Sequence, residues 1–597
     1  MLHLKKLLCT AALLMATAIF AQTYDLPIIF VDTKYHQCLD NRIIEKIPAT
    51  IRVLNGKTNN VADSSKATPY EIGIKVRGRG RSSSNFPKPN YTIEFHDSTD
   101  KDINVSLLGL PPSDDWVLHG PYVDKSMVRN SFGHWLFRQT GRYSPRTKHF
   151  DLYINGVYRG IYVLIERIKR GKYRVNVSKL KKTDIEGDNL TGGYILAIDR
   201  KYDSYSKLSK TESEFVTSDG VKVILRYPKK DKMAKEQEEY IQNYLNELEA
   251  LFKDGKSGSG YEKYVDIVSA ADYLLHLELT NNIDPYLANN FFMYKPKDKT
   301  DDQGNKTVGK ITLGPPWDFY LAFKNRLTPE SSNDDKNGTD STISSQYQYD
   351  NIWIIEKLYT SFTSFLDWHQ ANWVFEMWKD SIFQIEVSKR WAELRSGVWH
   401  TKTIDAYLDS MKTHLKSAAD RNFKRWPTLG KASGQNDPDP EPMKYCDTTI
   451  RSSNFMGLAM GGYNADTWEG EFEHVRKTTK ERIAWMDKQF GFTEPTNPVT
   501  FEPIIHEPDW QAEIGDTSEV RIDANNFSRL SPTNFFAVNG DHLEIHTSVG
   551  GSFALLDLNG TVLYKTRIKA GFTTLKIPAK ARNKHWIATL NGKMMNK

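Results

Sequence analysis

The sequence predicts an α+β protein, with a β-rich N-terminal region, a long part that turns mostly helical, and a small all-β module at the C-terminus. Three observations predict it. Apolar residues between Leu26 and Phe95 come in short runs separated by Gly, Asn and Pro. Beyond Lys232 they recur at helical spacing. After Thr493-Glu494-Pro495-Thr496-Asn497-Pro498, which reads as a linker, strand-like segments return. At 597 residues the chain exceeds what one hydrophobic core serves, so two or three folded units are expected. Lys plus Arg total 80 against 74 Asp plus Glu, a net of +6 without a polybasic tract, so charge points to no nucleic-acid or membrane partner.

Residues 1–21 carry Lys5 and Lys6, an apolar run from Leu7 to Phe20, and small residues at Ala18 and Ala21, the pattern of a cleaved secretory signal. That run is short for a bilayer span, and nothing later approaches the ~20 apolar residues a span needs. The mature protein is therefore expected to be secreted or at the cell surface, with no transmembrane segment. Cys9 leaves with the signal; Cys38 and Cys446 remain, a pair able to bridge in an oxidising compartment.

Strands are expected at Pro27–Val31, Ala49–Leu54, Tyr70–Val76 and Tyr91–Phe95. A helix is expected from Asp124 to Arg138, where Met127, Val128, Phe132, Trp135 and Leu136 approximate one stripe and Gly141 ends it. A hairpin follows, Phe150–Ile154 and Val157–Ile165 around Asn155-Gly156, with Glu166 just past its second strand. Tyr240, Tyr244, Leu245, Leu248 and Leu251 mark one amphipathic helix and Ile267–Leu279 another. Residues 351–426 form a helical block whose Trp353, Trp368, Trp373, Trp378 and Trp391 are spaced for packing rather than for a ligand groove. Two loops interrupt the order, Ser331–Ser345 and Gly434–Pro442. In the second, Asp437, Asp439 and Glu441 alternate with prolines without EF-hand spacing, so a solvated loop is expected, not a calcium site. A last helix runs from about Trp468 to Phe490, and Ser552–Tyr564 reads as a hairpin on Asn559-Gly560.

The residues that carry chemistry lie in order along the chain. Arg77-Gly78-Arg79-Gly80-Arg81-Ser82-Ser83-Ser84 offers backbone donors, hydroxyls and guanidinium groups suited to phosphate, although such alternation also occurs in ordinary turns. Lys88, before a strand, is placed to reach a nucleotide's phosphates and to pair with Glu166. Asp284 follows a helix, and Asn289 and Asn290 come five to six residues later, a separation like that of the aspartate and asparagine in a kinase catalytic loop. Asp318, after Gly314-Pro315-Pro316-Trp317, stands where a metal-ligating aspartate belongs. Lys, Glu, Asp, Asn, Asp is the order in which a kinase fold lays out its parts.

From about Leu26 to Phe490 the chain resembles the CotH spore-coat kinase-like family, atypical secreted or surface relatives of protein kinases. The resemblance rests on Leu26-Pro27-Ile28-Ile29, the segment from Arg77-Gly78 to Tyr91, Asp124-Lys125-Ser126-Met127-Val128-Arg129-Asn130, and Asn155-Gly156-Val157-Tyr158-Arg159-Gly160-Ile161-Tyr162 with Glu166. It continues through Gly192-Gly193-Tyr194, Asn282–Tyr294 and Gly314–Phe323. It implies a two-lobed kinase-like domain over residues 26–491 with a helical extension. It also implies ATP with Mg2+ or Mn2+ as cofactors, and phosphoryl transfer to Ser or Thr of an exported protein substrate. On that reading Asp284 is catalytic, Asp318 and Asn290 are metal ligands, and Lys88, Glu166 and Arg77 are nucleotide-site residues.

The family commonly reads Trp-Asp-x-Asp-Leu-Ala-Phe-Gly, whereas Trp317-Asp318-Phe319-Tyr320-Leu321-Ala322-Phe323-Lys324 has Tyr320 for the second aspartate and Lys324 for glycine. Pro89 stands where relatives often have a second lysine. Because a tyrosine cannot replace a carboxylate on magnesium at neutral pH, a catalytically weak or inactive pseudokinase serving as a surface adhesion, scaffold or glycan-binding protein is the alternative. A linker is expected over 492–510, and 511–597 is expected to form a sandwich-like β module, loosely similar to the sorting domains of type IX secretion.

Overall fold

The computed structural model describes residues 23–39, 46–54, 60–61, 72–80, 83, 86–199, 213–253, 260–287, 290–325, 351–361, 373–431, 433, 439–440 and 463–500. In the C-terminal module it describes 521–522, 535–539, 542–547, 551–557, 562–569, 571–577, 586–590 and 593–594. The expected signal segment 1–21, Cys446, Trp368 and the loop Ser331–Ser345 lie outside the described residues. Cys38 is disulfide-bonded. Among the described residues no helix is long and apolar enough to cross a membrane.

The N-terminal region is a closed barrel, which the strand pattern alone did not predict. Its seven strands are β1 (Ile28–Thr33), β2 (Ile47–Leu54), β3 (Ile72–Arg79), β4 (Asn90–Phe95), β5 (Asp115–His119), β6 (Thr147–Ile154) and β7 (Val157–Glu166). They run in the order β7-β5-β4-β3-β2-β1-β6, with β6 pairing β7 to close the ring. Only β1 with β6 is parallel, Ile28 lying opposite Asp151. The residues of β2 alternate as the pleat requires, with Ile47, Ala49, Ile51 and Val53 turned into the barrel beside Trp116 and Phe150. Closure leaves no free sheet edge among these strands.

The helix expected from Asp124 begins later, as α1 (Arg129–Gln139), because Met127 takes φ 62° and breaks the helical run. Asp124 instead holds the first residue of the helix: its carboxylate accepts from the Arg129 N–H at 3.0 Å and from the Arg129 guanidinium at 2.7 Å, both buried.

The second part of the molecule is built on a five-stranded sheet of β8 (Tyr194–Ile198), β9 (Ser213–Val216), β10 (Lys222–Tyr227), β11 (Phe291–Lys295) and β12 (Thr312–Leu313), in the order β9-β10-β8-β11-β12. Around it lie α2 (Lys235–Lys253), α3 (Ile267–Thr280), α4 (Ile354–Ser361), α5 (Trp373–Trp378), α6 (Ser381–Ser396), α7 (Thr401–Arg425) and α8 (Trp468–Phe490). Trp373, Trp378 and Trp391 are buried in their common core and Trp353 packs against it, as their spacing predicts.

Helix α3 is apolar on nearly every side and therefore buried. Its two acids are satisfied internally. Asp272 takes Arg142 at 2.7 Å and Arg390 at 2.6 Å. Glu278 takes Arg482 of α8 at 2.6 Å.

The end of α7 seats on the barrel. Asn422 Oδ1 accepts from Lys88 Nζ at 2.8 Å and from the Ile161 N–H at 3.2 Å, Arg421 pairs with Asp151 at 2.8 Å, and the Trp426 Nε1–H donates to the Arg159 carbonyl at 2.9 Å. Asp439, expected in a solvated loop, has its side chain enclosed as the partner of Arg159 at 2.8 Å and Arg425 at 2.5 Å. The approach is close at Gly160, where φ is +87° and an added Cβ would lie 2.6 Å from Asn422 Oδ1 and 2.9 Å from Trp426 Nε1.

In the C-terminal module β13 (Phe535–Asn539), β14 (His542–Thr547), β15 (Gly551–Asp557), β16 (Val562–Ile568), β17 (Gly571–Lys576), β18 (Trp586–Leu590) and β19 (Lys593–Met594) form two sheets, β13-β14-β17 and β16-β15-β18-β19. Leu543 and Ile545 of one share a core with Phe553 and Leu555 of the other.

Gly160→Ala is expected to lower the unfolding free energy by about 2–4 kcal/mol, left-handed strain adding to overpacking. Gly156→Ala, where φ is +79° but nothing lies within 4 Å of the added Cβ, should cost only the strain. Urea unfolding of both variants checks the difference.

Candidate functional site

The sheet brings its polar residues together at one end. Ile198 of β8 pairs with Phe291 of β11, so Asp199 and Asn290 are next in line across the ladder. Asn290 takes φ 55° as it enters its strand. Helix α3 ends at Asn281, which adopts φ 51°, and the chain turns through Asn282 and Ile283 to Asp284. Strand β12 leaves through Gly314, whose N–H donates to the Phe292 carbonyl at 2.9 Å, and reaches Asp318 at φ 65°.

These two loops are tied to each other and to α1. Asn282 Nδ2 donates to the Asp318 carbonyl at 3.1 Å, the Phe323 N–H to the Thr280 carbonyl at 2.7 Å, and the Phe319 N–H to Asn130 Oδ1 at 3.2 Å. The Phe319 ring is clamped by His134 at 4.9 Å and His276 at 5.5 Å, and it lies so close to Gly133 that a Cβ there would be 2.6 Å from it. The aspartate beside such an anchor cannot swing freely.

Burial, joined by the negative charge of Asp284, pushes the Asp318 carboxyl up to about 7. The Tyr320 N–H and Arg79 draw it back without cancelling the effect, and Asp199 adds to the push. The barrel supplies the cation: Arg79, at the end of β3, lies over the Trp317 ring at 5.6 Å. Trp317 packs in turn on Val117, Val163 and Ile165 of the outer barrel face. Asp284, Asp199 and Arg79 thus all act on the Asp318 carboxyl where the barrel faces the end of the sheet, and Asp199 has its own ion partner in Arg226 at 3.2 Å.

Two expected partners are not brought together. Glu166 does not pair with Lys88, because Arg146, its cross-strand neighbour, holds the carboxylate at 3.1 Å and Arg174 stands at 3.7 Å. The Lys88 amine is fully enclosed, bonded to Asn422, and drawn well below its ordinary pKa by burial and by Arg425 and Arg159. Arg77 sits on the same outer face as Arg79 but one row back, where its charged neighbours are Arg167 and Glu94. The arginine of the Gly-Arg motif beside the aspartates is Arg79. Arg79 was read from sequence only as part of the Gly-Arg motif, Asn130 and Asn282 only within longer segments, and Asp199 was not singled out. The available signal for Asp199 was a lone acid closing the buried run Tyr194–Ile198.

Among the described residues no three His, Cys, Asp or Glu side chains stand close enough to hold a metal ion unaided. The donor set fits a different arrangement. Magnesium usually takes one or two carboxylates and completes its shell with water and phosphate oxygens. A carboxyl whose ionised form is opposed by burial and two like charges is one that a cation would relieve.

A family model described as "CotH kinase protein" matches residues 76–486. Among curated proteins, the "Inner spore coat protein H" of Bacillus subtilis (strain 168) is 24% identical over 230 residues, covering 38% of this chain and 56% of that protein. The match thus spans little more than half the length of that relative.

A carboxyl with a raised folded-state pKa leaves the folded state binding more protons than the unfolded chain, so stability falls as pH rises from about 4 to about 7. In metal-free buffer, Asp318→Asn is expected to remove a pH-dependent loss on the order of a few kcal/mol across that window. Thermal melts of both proteins at pH 5 and pH 8 check this. Equal pH dependence in the two would contradict the assignment.

Proposed function

We propose that this chain, which belongs to the CotH kinase family, is an exported protein kinase that transfers the γ-phosphoryl group of ATP to Ser or Thr hydroxyls of secreted or surface proteins. The observation that carries the reading is that Asp284 and Arg79 both act on the Asp318 carboxyl, with Arg79 stacked on the neighbouring Trp317 ring. In this reading the barrel is one lobe of a kinase-like arrangement, and the sheet with its helices is the other. The relative is named as an inner spore coat protein, and an exported setting suits the signal segment expected at 1–21.

The chemistry follows from the placement of these groups. Asp284 accepts the proton of the acceptor hydroxyl as its oxygen attacks the γ-phosphorus, and the bond to the β-phosphate oxygen breaks to release ADP. Asp318, with Asn290 as second ligand, would hold a divalent cation, which when bound neutralises phosphate charge. Arg79 supplies fixed positive charge from the barrel side, stacked on Trp317 so that it needs no reorganisation when the phosphates arrive. Lys88 and Glu166 support the site from behind, the first by joining the barrel to α7 and the second by fixing the end of β7.

One observation favours the pseudokinase alternative. Tyr320, at the position of the family's second aspartate, packs against the buried cluster of Phe86, Tyr122, Val123 and Trp426. The position serves packing between the barrel and the end of α7.

With labelled ATP and magnesium or manganese, the mature protein is expected to label itself or an added casein-like acceptor. Asp284→Ala should lose about 10²–10⁴-fold in rate, the usual contribution of a general base. Asp318→Ala should abolish transfer. A folded protein that binds ATP and transfers nothing would select the pseudokinase, and one that binds no ATP would exclude both.

A further inference from the structure

His119 closes β5 on the outer face of the barrel. Arg79 pairs with Asn90 and His119 with Val163, and the pairing of Tyr91 with Leu118 makes Asn90 and His119 the next pair. Arg79, Asn90 and His119 therefore share one row on one face, at the end of the barrel that meets Asp318. Asn90 Nδ2 donates to Ser83 Oγ at 3.0 Å, which holds part of the Gly-Arg loop against this row.

The hydrogen bonds around His119 fix where its proton lies. Asn130 Oδ1 accepts from the Phe319 N–H at 3.2 Å, and that backbone group can only donate, so the amide nitrogen of Asn130 must face the other way. It faces His119 Nε2 at 3.0 Å. Nε2 is then the acceptor, and the proton of a neutral ring sits on Nδ1. The ring is neutral, because burial, aided by the charges of Arg79 and Lys88 and opposed by Asp124, draws its pKa down to about 4. The side chain is nevertheless partly exposed, and among the described residues nothing accepts from Nδ1.

We infer that the Nδ1–H of His119 is a ligand-binding donor in the row it shares with Arg79, aimed at an anionic oxygen, which on the kinase reading is a phosphate oxygen of ATP. It adds a directional hydrogen bond beside Arg79 without adding a further positive charge. Asn130 is the positioning residue: one amide holds the backbone next to Asp318 with its oxygen and sets the tautomer of His119 with its nitrogen. The phosphate-facing donor and the aspartate loop are thereby kept in register by a single side chain.

The test uses the full chain with ¹⁵N-labelled histidine, the His119 resonances being assigned by their loss in His119→Asn. The unaltered protein should show His119 as the Nδ1–H tautomer, with the Nδ1 signal moving on addition of ATP. Asn130→Asp presents only acceptors to both neighbours, so it should convert His119 to the Nε2–H form. That variant and His119→Asn should each weaken ATP binding about tenfold or more, the scale of one hydrogen bond to a charged group. An Nε2–H ring in the unaltered protein, or unchanged ATP affinity in both variants, would overturn the inference while leaving the nucleotide site standing. Should the unaltered protein bind no ATP, the kinase reading falls and inorganic pyrophosphate decides. A shifted Nδ1 signal would uphold an anion site at His119, and an unmoved one would overturn it.

Discussion

The buried carboxylate of Glu278 is the interaction on which the rest of the arrangement depends. It lies on the last turns of α3, out of contact with water, and Arg482 meets it at 2.6 Å. The Ile354 and Ile355 N–H groups at the start of α4 each donate to it at 2.9 Å, and so does the Tyr286 hydroxyl. Arg482 also donates to the carbonyls of Glu278 and Ile352 at 2.8 and 2.9 Å. Burial alone raises the pKa of this acid, and Arg482 and the two amides oppose the rise. An ion pair in such a place costs desolvation, so its value lies less in net stability than in the geometry it enforces. Here it locks α3, α4 and α8 to one another and, through Tyr286, to the loop that carries Asp284.

Asp272, near the middle of α3, does the same with Arg142 and Arg390, and Arg142 also reaches Asp266 at the start of the helix at 3.1 Å. The helix is thus pinned by charge at both ends and by apolar contacts between them. A loop leaving such a helix has its starting point fixed, which is what a reacting carboxylate needs. The like-charge crowding around Asp318 is tolerable for that reason. The repulsion of Asp318 by its acidic neighbours is borne by a scaffold whose buried acids Asp272 and Glu278 are paired with arginines, and a cation with phosphate would relieve it.

Much of this was legible in the sequence wherever the signal was local. The Asn155-Gly156 hairpin, the stripe of α3 and the last helix at Trp468–Phe490 were read from period and turn chemistry alone. Asp284, Asn290 and Asp318 were also selected from sequence, and all three lie at one end of the sheet. What was not legible depends on strand register. The barrel closes through a parallel pair of segments more than a hundred residues apart, Ile28 with Asp151, and no short-range pattern announces it. Lys88 and Glu166 were matched by order along the chain, whereas cross-strand register hands Glu166 to Arg146. Period two puts Arg77 and Arg79 on the same face, and only the docking of the two parts decides which one meets Asp318. Lys324 shows the converse. The family's glycine at that position was known from resemblance, and its physical reason is the φ of 56° that this chain asks a lysine to adopt.

In the proposed kinase a cation and a nucleotide's phosphates lie between Asp318 and Arg79. Anomalous diffraction from crystals grown with manganese and a non-hydrolysable ATP analogue tests it most directly. A manganese peak bonded to Asp318 is expected, with the phosphates extending toward Arg79 and the γ-phosphate facing Asp284. Manganese and nucleotide bound elsewhere, with this junction unchanged, would contradict it.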